Sequence, residues 1–133
     1  EVLKIVTSAN VACGFHASDP VVMMDTVKLC AQNGVSIGAH PGFADLQGFG
    51  RRVINLTIKE IEANIAYQIG ALQAIAALHG AKVTHMKPHG MMANMSADNA
   101  DMAEAMARAT KAVDRDMIFL CQANTEHGKG AQK

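Results

Sequence analysis

Three short stretches hold side chains that could do chemistry: C-G-F-H from Cys13 to His16, G-A-H-P-G from Gly38 to Gly42, and K-P-H-G from Lys87 to Gly90. Each follows a short apolar run that reads as a β-strand, and each sets a histidine just past the strand's end. A neutral imidazole can ligate a metal, and near neutral pH it can give or take a proton. In a parallel α/β arrangement the C-terminal ends of all strands face one side of the molecule. His16, His40 and His89 are therefore expected to share one rim, with a catalytic site there. One histidine in such a place is usually structural; three at equivalent strand ends favour function. The spacing matches no local ligand motif such as H-E-x-x-H, so a divalent metal is an alternative rather than a consequence.

Charged residues flank these motifs. Asp45 lies in a glycine-rich loop with no structural duty visible, and is expected to orient a histidine or a water. Asp19 could do the same, but it precedes Pro20 and can equally cap a helix. Arg51 and Arg52 close Q-G-F-G-R-R, where a guanidinium could hold a carboxylate or phosphate through paired hydrogen bonds. One of the two is expected to reach a ligand. The loop is no Walker A sequence, which would end in G-K-[ST]. Lys87 at a strand end suits anion binding or charge stabilisation. Cys13 is close to His16 in sequence, yet buried small-residue packing is the favoured reading over a nucleophile. His79, His85 and His127 are assigned no catalytic role.

These residues need strands and helices to position them. Ser8 to Cys13, Val35 to Ala39, Val83 to Met86 and Met117 to Leu120 read as strands. Asp19, Pro20 and Gly34 bound a helix from Pro20 to Asn33. Thr57 and Glu60 form a capping box, and Ile58, Ile61, Ile65, Ile69, Leu72 and Ile75 keep helical spacing up to Gly80. A further helix is expected from Asp98 to Val113, with Met102, Met106, Ala109 and Val113 inward. Pro41 to Arg52 is a long glycine-rich loop of a kind that is often functional. The tail after Gln122 reads as frayed. The order β-α-β-α-β-α-β implies α/β architecture with a parallel sheet or part of a barrel.

Length and charge narrow the classes. The 133 residues suit one domain with a hydrophobic core, and half are apolar. Acidic and basic residues balance at twelve each, without a run of like charge, so neither nucleic acid nor a membrane surface is an expected partner. No apolar run approaches the roughly 18 residues needed to span a membrane. Cys13, Cys30 and Cys121 are odd in number and share no C-x-x-C spacing, which points to a reducing, cytoplasmic location.

The strings S-A-N-V-A-C-G-F-H-A-S-D-P (Ser8 to Pro20), G-A-H-P-G-F-A-D-L-Q-G-F-G-R-R (Gly38 to Arg52) and K-P-H-G (Lys87 to Gly90) closely resemble the LamB/YcsF-type lactam-utilisation family, which supplies the A component of bacterial ATP-dependent 5-oxoprolinase. The resemblance runs from about Val6 to Leu120. It implies an irregular β/α barrel of the glycoside hydrolase and deacetylase type, and an enzyme component that opens the lactam of 5-oxoproline to L-glutamate. ATP is the implied co-substrate, and subunits B and C are the implied partners. The family's motif residues fall on Asn10, His16, Asp19, His40, Asp45, Arg51, Lys87, His89 and Asn94. His16, His40, Asp45 and His89 are the expected catalytic groups, and the others are expected to bind substrate or phosphate.

Some features depart from that pattern. K-P-H-G in the family is usually followed by A-L-Y-N, whereas Met91, Met92 and Ala93 precede Asn94 here, which removes an aromatic group. Family members also begin with a strand bearing an N-x-D-x-G-E-type acidic motif and continue through more β/α units, so a partial barrel domain is expected. Its open edge predicts association with itself or with the missing segments. A metal-dependent amide hydrolase or deacetylase of the same barrel type, or an inactive structural remnant, are the alternative readings.

Overall fold

Helical crossovers between successive strands let each strand run parallel to the last and bring every strand's C-terminal end to one side. The computed structural model describes residues 1–132. After a 3-10 turn at Val2–Lys4 the order is β1 (Ser8–Ala12), α1 (Pro20–Gln32), β2 (Ser36–His40), α2 (Ile58–Ala77), β3 (Val83–Met86), α3 (Gly90–Ala97), α4 (Ala100–Val113), β4 (Ile118–Phe119) and α5 (Glu126–Ala131). The four strands lie in the order β1-β2-β3-β4, each pair parallel. The result is an arc of β/α units, the α/β arrangement expected of part of a barrel.

Local chemistry starts the two long helices. Asp19 Oδ1 accepts from the Val21 and Val22 amides at 2.8 and 2.9 Å, with Pro20 at the first helical position. At the start of α2, Thr57 Oγ1 accepts from the Glu60 amide while Glu60 Oε2 accepts from the Thr57 amide. The stripe Ile61, Ile65, Ile69, Leu72 and Ala76 then packs on Val11, Ile37, Ala39, Val83 and Met86 of the strands in one core. Met102, Met106 and Ala109 of α4 join it as their spacing predicts.

Two elements depart from the expectation. The tail is not frayed from Gln122 onward: α5 packs on α4, although two glycines make E-H-G-K-G-A a weak helix former. Its backbone lies so close to α4 that a Cβ at Gly130 would stand 3.1 Å from the backbone of Ala103 and Glu104. His127 is buried there, with Nε2 2.6 Å from Ser96 Oγ. The second is α3, whose N-cap His89 makes no side-chain capping bond and which shows no amphipathic stripe. It is tied down instead by tertiary bonds, among them the Met91 amide donating to the Gly50 carbonyl at 3.0 Å. His40 also proves to be the last residue of β2 rather than the first beyond it.

One packing feature reaches across the sheet. Asn10, Gly38 and His85 are register neighbours on β1, β2 and β3. The His85 ring crosses Gly38, and its Nε2–H donates to Asn10 Oδ1 at 3.0 Å while Nδ1 faces Thr84 Oγ1 at 2.9 Å. A Cβ at Gly38 would meet that ring at 2.1 Å. Gly38→Ala is therefore expected to lower stability by about 1–3 kcal/mol, read from the urea midpoint. Adding His85→Ala should recover part of the loss, and strictly additive losses would contradict the steric account.

Candidate active site

His16, His40 and His89 reach one place from three loops or strand ends, because β1, β2 and β3 are adjacent and parallel. The rings of His16 and His89 stack, with centroids 3.8 Å apart and planes 5° from parallel. His40 meets both edge-on, at 5.7 Å from His16 and 4.9 Å from His89. Phe49 closes the cluster, edge-on to His16 and His89 at 5.6 and 5.0 Å.

The hydrogen bonds orient each ring. His40 Nδ1 lies 2.6 Å from the Lys87 carbonyl and His89 Nε2 lies 2.7 Å from the Phe49 carbonyl, so both nitrogens carry a proton and donate it. The remaining nitrogens, His40 Nε2 and His89 Nδ1, face each other at 3.1 Å. His16 Nδ1 is buried without a partner among the described residues.

The loop after β2 holds this arrangement. Its start is clamped from α2, where Gln68 accepts from the Gly42 amide and donates to the Gly42 carbonyl, both at 3.0 Å. The His89 amide donates to the Pro41 carbonyl at 2.8 Å. A Cβ at Gly42 would stand 2.6 Å from His16 Nδ1, and one at Gly50 2.8 Å from His16 Cβ. Gly50 and Gly90 also have positive φ, 65° and 53°, which other residues adopt at a cost.

Beside the cluster opens a cavity of about 490 Å³ lined by His40, Arg51, Lys87, His89, Asn94 and Gln122, with neighbouring loop residues. Five of the residues singled out from the sequence thus meet in one space. Asp45 does not line it. That carboxylate lies in a separate depression with Gly14, Phe15, Leu46, Gln47 and Arg52. Its Oδ1 accepts from the Gly48 amide at 2.9 Å and from Nε and Nη2 of Arg52. Hydrogen bonding to Arg52 holds its pKa down at about 2. The arginines have therefore divided: Arg52 is spent on Asp45, and Arg51, with its guanidinium carbon 5.6 Å from the Phe49 ring centroid, lines the histidine cavity. Asp19 is occupied in capping α1, and Asn10 by His85.

The LamB/YcsF family matches residues 1–133. The chain belongs to that family. It is 57% identical over 125 residues to the A subunit of a 5-oxoprolinase from Rhodopseudomonas palustris, covering 93% of this chain and 49% of the relative. The corresponding A subunit from Staphylococcus carnosus is 51% identical, over 94% of this chain and 50% of the relative. The crystal structure of a lactam utilization protein from Thermus thermophilus superposes with a TM-score of 0.96 at 40% identity, covering 98% of this chain and 53% of that one. The chain thus spans about half the length of the relatives it matches.

In this LamB/YcsF chain several contributors to the site were not among the residues singled out from the sequence. Gln68 could have been found as the polar residue on an otherwise apolar stripe of α2. Phe49 and Gln122 carried no such signal. Cys13 packs as expected: its Sγ donates to the Val11 carbonyl at 3.2 Å, and burial pushes its thiol up to about 11. Among the described residues no group of three or more His, Cys, Asp or Glu is arranged to hold a metal ion.

Burial, and then the neighbouring His89 and His40, push the His16 pKa from 6.5 down to about 4. Burial also lowers that of His40, against the opposing pull of the Lys87 carbonyl. Below pH 6.5 an unfolded chain binds a proton at His16 that the folded chain refuses until about pH 4, so acidification across that window destabilises the fold. Between pH 7 and 4.5 the expected loss from His16 alone is about 2–3 kcal/mol. Urea unfolding at the two pH values should show a loss smaller by that amount in His16→Gln, and an unchanged loss would refute the assignment.

Proposed function

We propose that this chain contributes the histidine cavity of the A component in an ATP-dependent 5-oxoprolinase, which opens the lactam of 5-oxoproline to L-glutamate together with subunits B and C. Family membership supports the lactam chemistry. The observation that carries the reading is the meeting of Arg51, Lys87, His40 and His89 around one cavity. A lactam is a resonance-stabilised amide that resists water unless its oxygen is activated and the developing charge is met by cationic or hydrogen-bonding groups.

In the proposed sequence the ATP γ-phosphoryl group passes to the lactam oxygen and ADP leaves. Water adds at the ring carbon, the ring C–N bond breaks, and nitrogen takes a proton. The resulting carboxyl phosphate is hydrolysed by a second water to glutamate and phosphate. Arg51 and Lys87 hold the substrate carboxylate or the phosphoryl oxygens, Asn94 donates hydrogen bonds, and the imidazoles manage protons. His16 acts as the neutral face against which His89 stacks. The three free cysteines, Cys13, Cys30 and Cys121, suit the cytoplasmic setting this role requires.

The test is glutamate release from 5-oxoproline with ATP and subunits B and C, using this chain and a version extended to the relatives' length. Turnover by the extended version is expected, and turnover by neither would remove the proposal. In the active form, Lys87→Met and Arg51→Met should each raise KM about 10- to 100-fold, as for loss of a charge-assisted hydrogen bond. His89→Asn should lower kcat by about 10²- to 10⁴-fold with little change in KM. Wild-type kinetics in His89→Asn would take it out of the mechanism.

A further inference from the structure

The imidazole contacts contain one more hydrogen-bonding position than two neutral rings can fill. Three contacts line up: Lys87 carbonyl with His40 Nδ1, His40 Nε2 with His89 Nδ1, and His89 Nε2 with the Phe49 carbonyl. A carbonyl oxygen can only accept, so both outer contacts consume a ring proton. Two neutral imidazoles have one proton each, and both are then used. The inner nitrogens are left facing each other at 3.1 Å with lone pair against lone pair. Moving either proton inward repairs that contact but sets a bare nitrogen against a carbonyl oxygen. Only a third proton satisfies all three contacts, and it brings one positive charge.

We infer that His40 and His89 act as a single-proton pair, and that an anionic oxygen group entering the cavity with Arg51 and Lys87 draws that proton in. The inference rests on the reading of this cavity as the carboxylate or phosphate site. Without an anion, the third proton would add a cation beside Arg51 and Lys87 in a largely buried position, and no carboxylate lines the cavity to offset it. The lowered pKa of His40 agrees with an unfilled proton position in the absence of an anion. A bound carboxylate or phosphate reverses the balance, because its charge offsets the incoming proton while the inner hydrogen bond is gained. Linkage makes the effect mutual: the anion tightens the proton, and the proton tightens the anion.

The other groups facing the pair do not account for such a proton. His16, stacked on His89, is pushed down to about 4, and Cys13, whose sulfur faces the His40 backbone, is pushed up to about 11. Asp45 is bonded to Arg52 in a different depression. Lys87, which lines the same cavity, is tested directly by substitution below.

Isothermal titration calorimetry of the chain with sodium sulfate, and separately with 5-oxoproline, in buffers of different ionisation enthalpy at pH 7.5 counts the protons. Neither ligand titrates at that pH. Uptake approaching one proton is expected with whichever ligand occupies the cavity, sulfate marking a phosphate subsite and 5-oxoproline a carboxylate subsite. The Kd for that ligand should weaken about tenfold per pH unit above pH 7, as for one linked proton. Lys87→Met should weaken binding and keep the uptake, whereas His40→Asn or His89→Asn should abolish the uptake. In the unsubstituted chain labelled with 15N-histidine, ligand should move the His40 and His89 resonances together to a pattern of three protons shared over four ring nitrogens, one imidazolium between two rings, and leave His16 unchanged, a readout that needs no variant to fold. Binding without proton uptake, or uptake that survives both histidine substitutions, overturns the pair while leaving the anion site standing. Failure of both ligands to bind overturns the anion site and the pair together.

Discussion

The close approach of the backbone of residues 41–50 to the histidine cluster is the constraint on which the other features depend. The loop carbonyls of Pro41, Phe49 and Gly50 accept from the His89 amide, the His89 ring and the Met91 amide. These bonds set the rotamer of His89, the first turn of α3 and the wall of the cavity at once. They form only because positions 42 and 50 lack side chains where the His16 ring packs. Gln68 then holds the loop's first turn from α2, so the most regular helix of the fold is wired to the least regular segment. Loops that carry function are commonly positioned by a rigid scaffold in this way.

Electrostatics follow from the same geometry. Binding Arg52 to Asp45 in a neighbouring depression removes the one acidic side chain of the glycine loop from the histidine cavity. What remains around that space is Arg51, Lys87 and two imidazoles with amide neighbours, a surface suited to anionic oxygen. Stacking His16 against His89 also has a cost, since a buried imidazole cannot charge freely, and the low His16 pKa registers it. Perturbed pKa values of this kind gather at functional sites, where burial and like charges are brought together.

Much of the scaffold could be read in advance, and the reasons are local. Asp19-Pro20 and the Thr57–Glu60 box satisfy amide donors within a few residues, so their effect does not depend on distant contacts. The stripe on α2 and the apolar strands follow their own periods. Helices α3 and α5 were not legible because their stability is borrowed: from Gly50 in one case, and from the close fit of Gly130 on α4 in the other. Propensity is a weak guide where tertiary packing decides. The role of His85 was hidden for the same reason. Its partner Asn10 is remote in sequence, and the path to it exists only because Gly38 lies between them in the sheet.

From the sequence alone came the β/α order, the rim on which His16, His40 and His89 would meet, and the resemblance that named a lactam chemistry. Motif and periodicity suffice for that, because strand direction and crossover hand are general. The division between Arg51 and Arg52 was decided only in three dimensions, as were the removal of Asp45 from the cavity and the nitrogen-to-nitrogen contact of His40 with His89. Each turns on side-chain directions and distances of about 3 Å, the range over which a hydrogen bond either forms or does not. Adjacent residues in a glycine-rich loop can point to different neighbours. A sequence lists such residues side by side, but the fold determines what each one touches.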